Sequence, residues 1–251
     1  GLMAILGAGG IWLPLEPKSP KLRLQQIVDD VEPLLALGSS SVEFEELYCH
    51  EISGRAQSSL DTWYWPVETK AQDAAYVNYT SGTTGRPKGI LMPHRALTSY
   101  IAWNAGNDEF GGALKTLQRS SLAFDVSLQE IFTTLETGGT LVLADDRTTE
   151  DLSLLWRRIT EQEIERLFIT PGLLNNLIST IEEDTFGNSL KAIICAGEEL
   201  VLNESSRAFF AKAYLNGQSP ILVNQYGSTE VHVVSQEILS GDPAQWPSNP
   251  S

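Results

Sequence analysis

The chain has 251 residues, enough for one large domain or two small ones at about 150 residues per domain, and ample for a sizeable core. Hydrophobic residues make up 42% and run along the whole length, which excludes wholesale disorder. Lys and Arg number 17 against 32 Asp and Glu, a net charge of −15 that repels nucleic-acid backbones and anionic lipid but permits a local phosphate site of backbone N–H groups and one lysine.

Gly1 to Leu15 is the most apolar stretch, yet it contains glycines and a proline and falls short of the roughly 18 residues a membrane span needs. It also lacks the positive lead of a signal peptide. Its first residue is not Met, so the chain is expected to begin inside a longer one. Apolar periodicity predicts a helix over Lys21–Val31, and Gly38–Gln72 reads as an irregular surface connection. Ala75–Tyr79 is expected as a buried strand and Pro93–Ala105 as a helix, with His94 in a structural, helix-starting role. A helix over Ser127–Thr137 stops at Gly138-Gly139 and is followed by a strand, Thr140–Leu143. Helices Leu152–Gln162, Pro171–Glu182 and Asn203–Leu215 then alternate with strands Arg166–Ile169, Lys191–Cys195 and Ile221–Gln225. This alternation predicts an α/β fold with a largely parallel sheet flanked by helices. Ligands of such sheets gather beyond the carboxyl ends of the strands. The tail from Ser240 to Ser251, with three prolines, reads as a truncation or linker. Cys49 and Cys195 form neither a disulfide framework nor a metal-ligand spacing. They read as thiols of a reducing compartment, and a cytoplasmic protein with no nucleic-acid or membrane partner is expected. Trp63 and Trp65 read as ordinary core or surface aromatics.

The strongest chemical signal follows the strand Ala75–Tyr79. Thr80-Ser81-Gly82-Thr83-Thr84-Gly85-Arg86-Pro87-Lys88-Gly89 combines glycines that admit an anion close to the backbone, hydroxyl donors, and the charge of Lys88. Such a loop suits phosphate oxygens. It is not a Walker A loop, because Arg86 and Pro87 follow Gly85 where Lys and Ser/Thr are required. Asp125 sits between Phe124 and Val126 in an otherwise apolar run. Read alone it suits a helix N-cap, a duty Ser127 can share. Asn224-Gln225-Tyr226-Gly227-Ser228-Thr229-Glu230 ends the last strand and reads alone as a turn with a solvated Glu. Ala196-Gly197-Glu198-Glu199 reads alone as a strand-to-helix turn.

Together these segments resemble the adenylate-forming superfamily, and in particular the adenylation domains of nonribosomal peptide synthetases. The Thr80–Gly89 string is similar to its phosphate-loop motif. Leu6-Gly7-Ala8-Gly9-Gly10-Ile11-Trp12-Leu13-Pro14-Leu15-Glu16-Pro17 resembles the family's "LKAGGAYVPLDP" segment, and Phe124-Asp125-Val126-Ser127 its "FDxS" motif. Asn224–Glu230 resembles "NxYGPTE", departing by Ser228 where Pro is usual, and Ala196–Glu199 resembles "GGE". The resemblance implies the large N-terminal subdomain of such an enzyme, partial and truncated, over residues 1–239, with 240–251 as the tail.

The same resemblance implies site roles. Thr80, Ser81, Gly82, Thr83, Thr84, Gly85 and Lys88 would cradle the phosphates of ATP, facing the Asn224–Glu230 segment. Tyr226 would stack on adenine, with Asn224, Gln225 and Gly227 beside it and the backbone of Gly197, Glu198 and Glu199 bordering the nucleotide. Thr229 would donate to the α-phosphate and Glu230 would hold Mg²⁺, so that Thr229, Glu230 and Lys88 carry the catalysis. The amino acid's α-ammonium would pair with Asp125, and its side chain would meet Val126, Gln129, Phe168, Ile194, Ala196, Gln225, Val233 and Val234. That series is similar to proline-activating domains, departing at Gln225 where His is usual. The implied reaction forms an aminoacyl-adenylate and passes the acyl group to the phosphopantetheine thiol of a carrier domain, among neighbouring synthetase domains. It needs no protein nucleophile, which fits a sequence with three histidines and no Ser-His-Asp pattern. The family's downstream "TGD" segment and C-terminal lysine are not among these residues, so the fragment is expected to be inactive alone. An acyl-CoA or aryl-acid ligase, and a non-catalytic nucleotide-binding scaffold, remain the alternatives.

Overall fold

The computed structural model describes residues 1–38, 49–51, 67–80, 86–181, 189–247 and 250. The chain divides into two compact units, Gly1–Arg95 and Ala96–Ser251. The first opens with α1 (Leu2–Gly7) and α2 (Lys21–Val31), followed by the paired strands β1 (Ala36–Gly38) and β2 (Cys49–Glu51). Its last two strands, β3 (Ala74–Thr80) and β4 (Lys88–Pro93), form an antiparallel pair in which Thr80 lies opposite Lys88. Trp12 bridges to β3 through its own N–H and carbonyl. Tyr76 and Val77 of β3, Ile90 and Met92 of β4 are buried there, as are Leu24, Ile27 and Val28 of α2. The expected strand at 75–79 is present, but its partner is β4, which was not foreseen. A run that starts Lys-Gly and ends in Pro lacks strand alternation. The expected irregular connection over 38–72 lies largely outside the described residues, as do Trp63 and Trp65.

α3 (His94–Ala105) begins at the end of the first unit, with the His94 N–H bonded to the Asp73 carbonyl at 2.9 Å. The second unit continues through β5 (Lys115–Gln118), α4 (Asp125–Glu136), β6 (Thr140–Leu143), α5 (Asp146–Glu150) and α6 (Leu152–Glu161). It is completed by β7 (Arg166–Ile169), α7 (Pro171–Ser179), β8 (Ala192–Cys195), α8 (Glu204–Leu215), β9 (Ile221–Tyr226) and β10 (Ser235–Leu239). The sheet runs β10-β9-β8-β7-β5-β6, parallel except for the β10 edge. The expected parallel α/β sheet is therefore observed.

Strand period explains its two faces. Leu167, Ile169, Ile193, Cys195 and Leu222 join Leu155 and Ile159 of α6, Leu174, Leu177 and Ile178 of α7, and Phe210 of α8 in one core. The residues between them, Phe168, Ala192, Ile194 and Val223, form a second core on the other face with Phe110. At the base of β7 on that face Arg166 is fully buried. Its guanidinium donates to Thr116 Oγ1 and Thr134 Oγ1 at 3.0 Å and to the Phe110 carbonyl at 3.1 Å. Beyond residue 239, Asp242 caps a short 3₁₀ turn, Pro243–Gln245, and buried Trp246 belongs to the first core.

Candidate functional site

The sequence at the start of α4 decides what Asp125 is free to do. The helix begins at Asp125 itself, with extended Phe124 as N-cap and no side-chain cap bond. Ser127 is turned back instead, its Oγ donating to the Phe124 carbonyl at 2.7 Å. Asp125 is thus not the capping residue, and its carboxylate lies at the positive end of the helix, where negative charge is favoured.

That carboxylate lines a cavity of about 500 Å³ at the carboxyl ends of β5, β7, β8 and β9, where open α/β sheets hold ligands. Val126 and Gln129 of α4 join it from one side, Phe168 and Ile194 from the sheet, and Ala196, Gln225 and Val233 from the far wall. Eight of the nine positions expected around the amino acid are therefore brought together. The ninth, Val234, lies outside the lining and is 66% exposed, with its N–H bonded to the Tyr226 carbonyl. Gly197, Gly227 and Thr229 also reach the cavity. Tyr226, 71% exposed, and Glu230 stand outside its lining on the same segment.

Other expected residues have different company. Asn224 points to the opposite face and donates to the Pro250 carbonyl at 2.9 Å. Glu198 accepts from the Gly172 N–H at 2.9 Å, which fixes the turn after β8 to the start of α7, and Glu199 is exposed. Thr80 and Lys88 form the last rung of the β3–β4 pair, so the two ends of the expected phosphate loop are held opposite each other. Ser81, Gly82, Thr83, Thr84 and Gly85 lie outside the described residues.

Several site residues were missed in the sequence. His232 is buried, its ring stacked on Tyr100 with centroids 5.6 Å apart and Nδ1 3.9 Å from Asp125 Oδ2. Gln129 links the two rings, accepting from Tyr100 Oη at 3.2 Å and placing Nε2 3.4 Å from His232 Nδ1. Burial raises the Asp125 carboxyl above the usual range, an effect the His232 ring opposes. Burial likewise lowers His232, opposed by Asp125. The site thus favours a cationic ligand, which restores to Asp125 the stabilisation that burial removes. Glu130, fully buried one helical turn on, accepts from Ser120 N–H and from Ser120 Oγ at 2.8 Å. It thereby holds the loop after β5, whose Arg119, Ser120 and Ser121 line the cavity. This loop escaped notice because β5 did: Lys-Thr-Leu-Gln carries one strong apolar residue in four.

Magnesium fits one mode only. Among the described residues no cluster of three or more His, Cys, Asp or Glu side chains could hold a metal. The exposed Glu230 can supply a single carboxylate to an ion otherwise held by substrate phosphates, which is the usual arrangement for Mg²⁺. No helix among the described residues is long and apolar enough to cross a membrane.

Residues 1–251 match the AMP-binding enzyme family. Gramicidin S synthase 2 of Brevibacillus brevis is 32% identical over 242 residues, covering 94% of this chain and 5% of that protein. A nonribosomal peptide synthetase, TES, of Alternaria alternata is 34% identical over 256 residues, covering 96% of this chain and 5% of that protein. The chain thus spans a small part of the relatives it matches. Among solved structures, the N-terminal subdomain of Klebsiella oxytoca NpsA, in complex with 3-hydroxybenzoyl-AMSN, superposes with a TM-score of 0.77 at 22% identity, over all of this chain and 62% of that one. PA1221, a nonribosomal peptide synthetase protein containing adenylation and carrier domains, gives 0.77 at 27% identity, over 95% of this chain and 40% of that one. The chain belongs to the AMP-binding, adenylate-forming enzyme family, with nonribosomal peptide synthetases as its relatives and the fold of their N-terminal adenylation subdomain.

Proposed function

We propose that the chain contributes, as part of a larger adenylation domain, to activating an amino acid with a small, apolar side chain, L-proline or a close analogue, as its aminoacyl-adenylate in nonribosomal peptide synthesis. The observation that carries this reading is the cavity: one carboxylate, Asp125, set in a wall of Val126, Phe168, Ile194, Ala196 and Val233. The carboxylate suits an ammonium, and a carboxylic acid without an amino group would leave it buried and unpaired. The amides of Gln129 and Gln225 are the wall's other polar groups among the expected positions, and Gln225 donates to Gln236 Oε1 at 3.2 Å. Among those positions a charged side chain would find no partner beyond Asp125, and Arg119 at the end of β5 is left for an oxyanion of the reactants.

In the reaction an oxygen of the amino-acid carboxylate attacks the α-phosphorus of ATP, and the bond to pyrophosphate breaks. A carrier thiol then attacks the carbonyl and AMP leaves. The chain's own part is to bind and orient. Asp125 anchors the ammonium, Thr229 donates at the phosphate from the cavity rim, and exposed Tyr226 offers its ring to adenine. Thr80 and Lys88 hold the ends of the phosphate loop, and Glu230 offers a carboxylate to Mg²⁺, which supplies charge neutralisation when bound. A phosphopantetheinyl carrier and neighbouring synthetase domains are the partners of this reading, in the cytoplasm.

The test is ATP–pyrophosphate exchange by the parent adenylation domain across the proteinogenic amino acids and proline analogues. Exchange is expected to peak with proline or a small apolar relative, with Asp, Glu, Lys and Arg at least about 100-fold lower in kcat/KM. Best exchange with a charged or large aromatic amino acid, and proline inert, overturns the specificity.

A further inference from the structure

The cavity wall contains a cation with a buried donor that no group in the described chain accepts from. Arg119 directly follows β5, lines the cavity and is half-buried. Its Nε is closed off from solvent and has no hydrogen-bond partner among the described residues. Burial pulls the guanidinium below its usual range, and the charge opposing that is the Glu130 carboxylate. Glu130, however, is already engaged. It accepts from Ser120 N–H at 3.2 Å, Ser120 Oγ at 2.8 Å and Gln118 Nε2 at 3.3 Å. Those bonds fix the backbone from which Arg119 springs, so the guanidinium is presented by a rigid loop.

A cation here is not a sample of a generally basic surface, because acidic residues outnumber basic ones 32 to 17. A partly desolvated guanidinium without an acceptor is costly. A planar fork of N–H donors matches the oxygens of a carboxylate or phosphate. We infer that Arg119 is an anion-recognition residue of this cavity, donating to an oxyanion of the ligand bound beside Asp125. The inference rests on the adenylation reading, which offers two sources of that oxyanion: the α-carboxylate of the amino acid and the α-phosphate of the nucleotide. Asp125 and Arg119 would then hold opposite charges of the bound reactants from one loop–helix unit.

The experiment is calorimetric titration of the 251-residue chain and its Arg119→Gln and Arg119→Lys variants with two matched pairs of ligands. The first pair is L-proline and L-prolinol, or whichever amino acid ranks first in the exchange panel with its amino alcohol. The second is AMP and adenosine. Arg119→Gln is expected to weaken one anionic ligand about tenfold or more and its neutral counterpart less than about twofold, with Arg119→Lys falling between. A loss confined to the amino acid assigns the carboxylate, and one confined to AMP assigns the phosphate. Equal binding by wild type and Arg119→Gln, or an equal loss for charged and neutral ligands alike, overturns the inference and leaves the adenylation reading standing. If wild type binds neither the amino acid nor AMP, that reading falls and the role of Arg119 falls with it.

Discussion

Gly227 shows how one missing side chain shapes the cavity. A Cβ at this position would overlap the carbonyl oxygen of His232 and lie 2.9 Å from Val233 Cα. The motif therefore needs glycine for close approach, which brings residues 232 and 233 back against the end of β9. His232 itself takes a left-handed backbone, φ 61, and that turn delivers its ring to Tyr100 and Asp125 while Val234 faces out. Gly227→Ala is expected to cost roughly 2–4 kcal/mol, since backbone must move. Gly197→Ala, at φ 90 but with open space around it, is expected to cost about 1 kcal/mol. Urea denaturation of both variants checks the order, and equal losses contradict it. The eight cavity-lining positions were legible through the motifs of the resembled family, which fix their places along the chain. His232 was not, because a histidine two places beyond a motif has no spacing rule, and only the turn at Gly227 shows where it goes.

At the scale of elements, α4 couples the cavity to the sheet through Glu130. Asp125 on its first turn faces the cavity, while Glu130 is buried against the end of β5 and accepts from Ser120 and Gln118. Burial pushes the Glu130 carboxyl up to about 7 from 4.5, the hydrogen bonds from Ser120 opposing it. The folded chain therefore holds this proton more tightly than the unfolded one does. Stability from this group is full below about pH 4.5, declines as pH rises towards about 7, and is flat above, by about 3 kcal/mol at most. Glu130→Gln keeps an acceptor for Ser120 and removes the ionisation. Its stability relative to wild type is expected to improve as pH rises from about 5 to 8, read from urea midpoints across that range; a gap that stays flat or moves the other way contradicts the assignment. The buried parallel strands were legible as short apolar runs: β7 and β9 begin at the expected residues and β8 one residue later. β5 was not, since Leu117 alone marks it as core, and with β5 went the loop of Arg119. The start of α4 also moved, from the expected Ser127 to Asp125, because a capping carboxylate and one inside the first turn look alike in one sequence.

At the scale of the molecule, binding and turnover are expected to separate. The second unit assembles a cavity with one carboxylate, an apolar wall and polar residues at strand ends, and the first pairs Thr80 with Lys88 at the ends of the proposed phosphate loop. Interactions of this kind hold ground state and transition state nearly alike, and uniform binding does not raise kcat. The groups that the family resemblance assigns to gripping the ribose and to the acyl-phosphate oxygen, an acid and a lysine in later segments, are not among these 251 residues. The net charge of −15 adds no general attraction for ATP, so nucleotide affinity depends on local donors rather than on the field of the whole protein. The 251 residues are therefore expected to bind the amino acid and AMP saturably in calorimetry yet to give pyrophosphate exchange no higher than background, while the parent domain exchanges under the same conditions. Exchange by the isolated chain within about tenfold of the parent domain would show that these residues already supply the transition-state contacts, and would overturn this separation of binding from catalysis.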